Sequence, residues 1–322
     1  MGQYIIRRLI IAVPLVLGIS IITFTFINLA PGDPILAMIN PEEEMSSSNI
    51  ELLRKQLGLD KPLPVRYVIW LGQIVRGNFG YSYHTGEPVL RRIGIRLTAT
   101  LELMGFSILL STFLGISVGV LAALKQYTAW DYSLTVLALF AVSVPAFFFA
   151  LVALYIFALK LGWFPSFGMR TLVVGSAAPP SLLDNLHHLF LPGVILSLET
   201  MAGLTRYMRS SMLEVLRQDY VTTARSKGLT ERAVIIGHAL RNALLPAITI
   251  ITLRLPSIFG GTVIIETMFQ WPGMGRMSIQ AIRQRDYPVL MGLTLITASI
   301  VLFSNLLADV LYAYVDPRIR YT

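Results

Sequence analysis

The sequence predicts an all-α polytopic membrane protein with six transmembrane helices and a small helical cap outside the membrane. Hydrophobic residues make up 55% of the 322 and charged residues only 14%, whereas a soluble domain carries about a quarter charged residues. The mean hydropathy is +0.67, and six stretches have the roughly 20 apolar residues that a membrane-crossing helix needs. These observations exclude an ordinary soluble enzyme and a disordered chain. The net charge of +8 favours basic loops at a membrane surface over binding to nucleic acid.

The apolar stretches predicted to cross the membrane are Leu9–Leu29, Thr98–Leu124, Leu134–Leu159, Leu189–Met208, Ala243–Ile265 and Pro288–Tyr314. The first follows two arginines, as a signal peptide does, but its apolar run of about 21 residues exceeds the 7–15 of a cleaved signal. It is therefore predicted to be a retained anchor. Pro145 and Pro256 lie inside the third and fifth stretches, where the missing N–H predicts a kink.

The basic residues set the predicted orientation. Short connections on the side of the N-terminus contain 12 Lys and Arg, and those on the opposite side contain 5. Cytoplasmic loops carry the excess of Lys and Arg, whereas loops longer than about 60 residues are translocated largely regardless of charge. Both termini are therefore predicted to face the cytoplasm, and residues 30–97 to lie outside.

The outer segment, residues 30–97, is predicted to form the helical cap. The turn Pro31–Pro34 breaks the chain where it leaves the membrane. Ile50–Leu57 has helical spacing and precedes Gly58, a residue type that commonly ends a helix. After two further prolines, Val65–Val75 resumes the helical pattern.

The most informative segment lies between the fourth and fifth predicted spans, at residues 206–246. Thr222–Ser226 continues a helical pattern that Gly228 ends, with cations in the last turn, where they favour the helix dipole. Thr230 is placed to begin a second helix. The segment is thus predicted to be a helix, a glycine turn and another helix projecting from the membrane. A basic loop that only fixes topology is the alternative.

The same segment resembles a known family. It reads TARSKGL at residues 223–229 and HALRNALLP at residues 238–246, and it is similar to the coupling loop of ATP-binding-cassette importer permeases. Ala224 and Gly228 match the general Glu-Ala-Ala-x-x-x-Gly pattern of such loops, whereas Thr222 and Thr223 depart from it. The branch that it resembles is that of the dipeptide, oligopeptide and nickel permeases. Further similar stretches occur in the same order: APGDP, LGLDKPLPVRY, GNFGYS, FQWPGMGR and RDYPVLMG.

This resemblance implies a type I importer permease fold and a place in a larger complex in the cell membrane. The implied partners are a second, related permease, two cytoplasmic ATPases and an extracytoplasmic solute-binding protein. ATP and Mg are used by the ATPases, so this chain is expected to be no enzyme and to bind no cofactor or metal. The expected cargo is a di- or oligopeptide, and nickel chelates, glutathione or another small solute stay open as alternatives.

The contact with the ATPase is expected at the glycine turn. Ala224 would keep the docking surface low and Gly228 would permit the tight turn, so that a small helix enters a groove of the ATPase. The residues expected to couple the subunits are Thr222, Thr223, Ala224, Arg225, Ser226, Lys227, Gly228 and Leu229. The chain itself has no GxxxxGK[ST] phosphate loop, because the glycines near Gly260 and Gly273 lack the spacing and the lysine.

Four parts are expected along the chain. Residues 1–29 form the cytoplasmic N-terminus and first helix, and residues 30–97 the outer cap. Residues 98–315 form a five-helix core with the coupling loop at residues 209–242, and residues 316–322 a cytoplasmic tail. An ion-coupled carrier is the alternative from a different class. It should have inverted repeats with broken helices in both halves, and the sequence shows no such repeat.

Glu199 and Arg254 are the two charges that the sequence places deep in predicted spans. Each lies ten or eleven residues into its span, so both are expected roughly 15 Å deep, near the middle of the hydrocarbon core. An unpaired charge there is costly. The two side chains are therefore predicted to face each other or one wet cavity, either as a clamp between helices or as a polar patch on the transport pathway.

Two further sequence patterns predict local packing. The outer loop around Trp271, Pro272, Gly273 and Gly275 is either a turn in the interfacial aromatic belt or, by resemblance, a scoop that partly covers the pathway. Gly115 and Gly119 form a GxxxG pair, which lets two helix backbones approach closely. Packing within the subunit is favoured over contact with another subunit.

Overall fold

The computed structural model describes residues 2–29, 35, 47–56, 58–171, 181–254, 256 and 262–315. The described residues are nearly all helical, with one isolated β-bridge between Tyr81 and Pro88. The predicted turn at Pro31–Pro34, Gly260 and the tail at residues 316–322 lie outside these residues.

The helices, numbered in chain order, are α1 (Gly2–Leu29), α2 (Ser47–Gln56), α3 (Leu63–Val75), α4 (Val89–Leu124), α5 (Ala129–Ser143), α6 (Ala146–Ala153), α7 (Leu182–Val215), α8 (Asp219–Ser226), α9 (Glu231–Ala233), α10 (Arg241–Arg254), α11 (Val263–Met268), α12 (Met274–Gln284) and α13 (Tyr287–Val315). Two π-helical segments, Leu154–Lys160 and Val234–Leu240, continue α6 and join α9 to α10. The all-α prediction is confirmed. In the described chain, five helical segments are long and apolar enough to cross a membrane, and the bent pair α5–α6 is the sixth candidate.

The third span, predicted as one kinked helix at Leu134–Leu159, is divided into two helices. Its two halves meet at an angle of 102°, with Val144 and Pro145 at the break. Pro145 has no N–H to continue the helix, and Val144 adopts the extended backbone that a following proline favours, with φ −99° and ψ 129°. The proline therefore divides the span into two helices, and the predicted kink is a sharp bend.

The fifth span begins and ends about a dozen residues before the prediction of Ala243–Ile265. Its apolar helical segment is described from Glu231 to Arg254, and Leu255 lies outside the described residues. Ile264 and Ile265, which extended the apolar pattern, belong instead to the short helix α11. The helix predicted to begin at Thr230 is thus continuous with this segment.

The core of the bundle is the contact between α4 and α7, which run side by side in the same direction. A Cβ atom added at Gly115 would lie 2.7 Å from Cβ of Leu204, and one added at Gly119 would lie 2.6 Å from Cβ of Met208. Backbones this close need glycine at the crossing. The prediction that the GxxxG pair packs within the subunit is confirmed.

Helices α1 and α13 pair in opposite directions. Near the start of α1, the Tyr4 hydroxyl donates to Asp309 Oδ2 at 2.8 Å, and Arg8 lies 3.1 Å from the same carboxylate. At the other end of α1, Phe24 packs with Tyr287 and Met291 of α13. This antiparallel contact places the outer cap, which follows α1, beside the start of α13.

Candidate coupling loop and extracytoplasmic cover

The coupling loop, residues 209–242, is built as a helix, a glycine turn and a helix, which confirms the predicted local structure. Helix α7 ends at Val215, and α8 follows after a short turn. Gly228 has φ +79°, a left-handed conformation that side chains other than glycine adopt at a cost. The Thr230 hydroxyl then accepts a hydrogen bond from the N–H of Ala233 at 3.4 Å and caps the next helix.

The inner face of the coupling loop has its own small hydrophobic cluster. Val221, Ala224 and Val234 are buried there against Val215 and Leu216. Ala224 therefore fills the inside of the loop, whereas the sequence analysis placed it on the docking surface. The other residues named for the ATPase contact are exposed: Thr222, Thr223, Arg225, Ser226, Lys227, Gly228 and Leu229.

An ion pair closes the coupling loop across the glycine turn. Arg225 donates from Nη2 to Glu231 Oε1 at 2.8 Å and from Nε to Oε2 at 3.2 Å. The hydrogen bonds to this carboxylate raise the pKa of Arg225. Because both side chains are exposed, the pair adds little stability. Its geometric effect is to hold α8 and α9 together, so the two helices present one continuous, basic surface.

The segment from α11 to α12, called the cover below, packs over the N-terminal part of α4. The Trp271 side chain is fully buried, and its Nε1 donates to the carbonyl of Ala99 at 2.7 Å. The carbonyl of Pro272 accepts from Arg96 Nη1 at 3.2 Å. Trp271 is thus buried against α4.

Glu266, which sequence reasoning missed, holds the cover together. Its side chain is fully buried and accepts from Thr100 Oγ1 and from the N–H of Arg276, each at 2.9 Å. Burial raises the pKa of this carboxyl group. A Cβ at Gly273 would lie 2.4 Å from the Glu266 carboxylate, so glycine leaves room for it. An acidic residue between apolar residues was the sequence signal that could have indicated this role.

A second buried carboxylate fixes the loop before α4. Asp286 accepts from the N–H of Tyr83 at 3.2 Å and from the hydroxyl of Ser82, and Arg92 lies 3.6 Å away. The GNFGYS stretch is therefore tied to the start of α13. Between the cap and the outer ends of α1 and α13 lies a cavity of about 470 Å³, whose lining includes aromatic side chains and Arg66.

Among the described residues no ion pair joins Glu199 to Arg254, and both residues are exposed. Glu199 lies in the middle part of α7, as predicted. Arg254 is the last residue of α10, whereas the predicted span placed it in the middle of a helix. The reason is the early start of the fifth span at Glu231.

The adjacent histidines His187 and His188 have hydrogen-bond partners nearby. Nε2 of His187 lies 2.6 Å from the carbonyl of Trp163, and Nδ1 of His188 lies 3.2 Å from the carbonyl of Gly168. Within the ranges that the structure describes, no three His, Cys, Asp or Glu side chains are grouped as metal ligands.

Comparison with known proteins gives the family. The profile described as "Binding-protein-dependent transport system inner membrane component" matches residues 115–321, and the profile of the N-terminal part of such membrane components matches residues 1–104. The oligopeptide transport system permease protein AppB of Bacillus subtilis is 45% identical over 322 residues and covers all of both chains. The dipeptide transport system permease protein DppB of Escherichia coli K12 is 38% identical, covering 100% of this chain and 99% of that protein.

A solved structure has the same fold. The MetNI methionine ABC transporter, in an inward-facing conformation, aligns with a TM-score of 0.56 over 70% of this chain and 97% of that chain, at 14% sequence identity. The membrane-crossing helices and the family profile agree on a multi-pass inner-membrane transport component. The chain belongs to the family of binding-protein-dependent transport system inner membrane components, with the fold of a type I ABC importer permease.

Proposed function

We propose that this chain is the permease subunit of an ATP-driven importer that translocates di- or oligopeptides delivered by an extracytoplasmic solute-binding protein. The observation that carries the proposal is full-length similarity to oligopeptide and dipeptide permeases. The geometry of the coupling loop supports it, because the loop offers a compact, exposed basic surface of the size of a helix-in-groove contact.

The proposed complex has four kinds of subunit. A second, related permease completes the pore, and two cytoplasmic ATPases, which use ATP and Mg, dock on the coupling loops. The solute-binding protein presents the peptide to the outer side. The residues that contact the ATPase are the seven exposed ones from Thr222 to Leu229, while Ala224 supports them from inside.

Replacing Gly228 by valine is expected to uncouple hydrolysis from transport. The φ of +79° is strained for a β-branched residue, so the turn that presents α8 must change shape. In the assembled complex, peptide uptake per ATP hydrolysed should fall by about tenfold, in the usual range of coupling between sites. Gly237→Ala is the matched control, since a Cβ there meets nothing within 4 Å and its φ is not positive. Normal coupling in Gly228→Val would defeat the assignment of this loop.

Two alternatives for the cargo and mechanism can be separated by one measurement. The same architecture serves nickel chelates, glutathione or other small solutes, and an ion-coupled carrier would need no ATPase. Uptake of labelled peptides, nickel chelate and glutathione by the reconstituted complex, with and without ATP, distinguishes them. Peptide uptake that requires ATP and the binding protein is the expected result, and uptake driven by an ion gradient alone contradicts it.

The proposed orientation has both termini in the cytoplasm, residues 30–97 and the cover outside, and residues 209–242 inside. The chain contains no cysteine, so introduced cysteines report without background. Glu51→Cys, at an exposed position of α2, is expected to react with an impermeant reagent in intact cells. Ser226→Cys, also exposed, should react only after the membrane is permeabilised. Reaction of Ser226→Cys in intact cells would reverse the topology.

For the outer cover, we propose a gate at the entrance of the pathway, formed by Trp271, Pro272, Gly273 and Gly275. Its support is the packing described above. The Trp271 and Glu266 anchors join this segment to the outer end of α4, so a movement of α4 would carry the cover with it.

Glu199 and Arg254 are proposed to line one polar stretch of the pathway, where Glu199 meets the amino group of a peptide and Arg254 its carboxylate. Ser211 Oγ donates to the carbonyl of Ala243 at 3.0 Å, which brings α7 and α10 into contact, and we propose that the two helices run in opposite directions from there. Counting eleven residues along each helix brings Thr200, the neighbour of Glu199, level with Arg254. The exposure of both side chains is consistent with a wet cavity.

Glu199→Ala is expected to lower peptide uptake, and adding Arg254→Ala should lower it by less than the sum of the two single effects. Residues that act on one ligand are not independent, so a double-mutant cycle shows coupling. The measurement is the initial rate of uptake by membranes with equal amounts of complex. Strictly additive losses would show that the two residues act separately.

A further inference from the structure

An ion pair between Asp131 and Arg209 lies where the coupling loop begins, and its carboxylate is buried. Asp131, near the start of α5, has a side chain only 3% exposed, and Arg209 of α7 binds it with two hydrogen bonds of 2.7 Å, from Nε to Oδ1 and from Nη2 to Oδ2. Such a two-pronged contact fixes direction as well as distance. It differs from the exposed Arg225–Glu231 pair, which has the same chemistry without the burial.

The same carboxylate also fixes the turn between α4 and α5. Oδ2 of Asp131 accepts from the N–H of Tyr127 at 3.1 Å. Tyr127 has φ +63°, a left-handed conformation that is uncommon for a residue other than glycine. A strained residue persists only where surrounding contacts hold it, and Asp131 supplies such a contact.

The pair lies where three segments meet. A Cβ at Gly119 of α4 would lie 3.2 Å from the backbone N of Arg209, so α4 and α7 are in backbone contact at this level. Arg209 is six residues before the end of α7, where the coupling loop turns away toward α8. Asp131 is in the first turn of α5, which leads to the bend at Pro145. Thus the pair connects the loop to the bent span.

We propose that Asp131 and Arg209 form a clamp that transmits the displacement of the coupling loop to α5 and its bend. The clamp rests on the proposed function, because it presupposes that an ATPase moves the loop. Arg209 and Asp131 are positioning residues in this scheme and do not contact the cargo. A bidentate pair with a buried carboxylate is suited to this task because breaking it leaves the charge of Asp131 uncompensated, so the two helix ends move together.

The test uses the assembled complex with a cysteine at Ser226 for cross-linking to the ATPase. Arg209→Lys keeps the charge and loses the planar fork, so the clamp becomes a single, mobile contact. Cross-linking and ATP hydrolysis should be retained, while uptake per ATP hydrolysed should fall by about tenfold. Glu231→Gln, which breaks the exposed pair in the same loop, is the matched control and should change the ratio by less than twofold.

Each outcome of this test either supports or contradicts the clamp. Uptake per ATP within twofold of the parent in Arg209→Lys overturns the clamp, and so does a failure of that variant to assemble, because the pair is then only structural. Asp131→Asn is the second variant, and loss of uptake per ATP with cross-linking intact again supports transmission. Absence of the Ser226→Cys cross-link in the otherwise unchanged complex refutes the docking of the loop, which is a failure of the proposed function and not of the clamp alone.

Discussion

Gly119→Val is expected to prevent normal packing of the bundle. Even alanine would place its Cβ 2.6 Å from Cβ of Met208 and 2.7 Å from the backbone oxygen of Thr205, distances that force α4 and α7 apart. Inserting extra methylenes into a packed core costs about 1–3 kcal/mol, and valine adds two more carbons than alanine at a backbone contact. The expected result is a large fall in membrane-inserted protein and in the melting temperature of the purified complex.

Gly105→Val is the control for this prediction. Gly105 lies on the same helix, and a Cβ there would meet nothing within 4 Å. Its replacement therefore tests the intrinsic effect of losing a glycine from α4 without the clash. Equal losses in both variants, or a normal melting temperature for Gly119→Val, would contradict the α4–α7 contact described above.

Trp271→Ala is the second substitution with a large expected effect. Removing a fully buried aromatic side chain costs about 3–5 kcal/mol, and the carbonyl of Ala99 also loses its donor. The cover should detach from α4, with a lower melting temperature and loss of peptide uptake. Differential scanning fluorimetry of the complex and uptake by reconstituted vesicles measure the two consequences.

Two related variants separate packing from hydrogen bonding at this site. Trp271→Phe keeps an aromatic ring in the site but removes the Nε1 donor and part of the buried surface, so its loss of stability should lie between about 1 kcal/mol and that of Trp271→Ala. Trp163→Ala removes an indole that is 60% exposed, and its effect should be near the ±0.5 kcal/mol of ordinary surface changes. If Trp163→Ala destabilised as much as Trp271→Ala, the burial of Trp271 would not be the cause.

The order of spans and the coupling loop follow from local sequence properties. An apolar run of about 20 residues has its lowest free energy in the hydrocarbon core of the membrane, wherever the rest of the chain lies. Gly228 and Thr230 likewise act on their own neighbours, through a positive φ and a helix cap, so the helix–turn–helix was predictable from residues 222–231.

The boundaries inside the apolar stretches were not predictable in this way. Pro145 and Pro256 each remove one helix hydrogen bond. One gives a 102° bend within a span, and the other follows the last residue of α10. Hydropathy does not distinguish these outcomes, because the residues on both sides of each proline are apolar. The neighbouring helices and the turn that follows decide which one occurs.

The partners of individual side chains depended on tertiary structure to the greatest extent. The sequence by itself determined that Gly115 and Gly119 would let two helices meet, and the fold decided that the second helix is α7. The Glu266 carboxylate accepts a hydrogen bond from Thr100, 166 positions away in the sequence, and the Asp131 carboxylate accepts one from Arg209, 78 positions away. The hydrophobic periodicity and the composition of the sequence indicate whether each helix face prefers water or an apolar environment. They do not indicate the hydrogen-bond donors of a buried carboxylate, because these come from whichever helices and loops the packed bundle brings within hydrogen-bond distance.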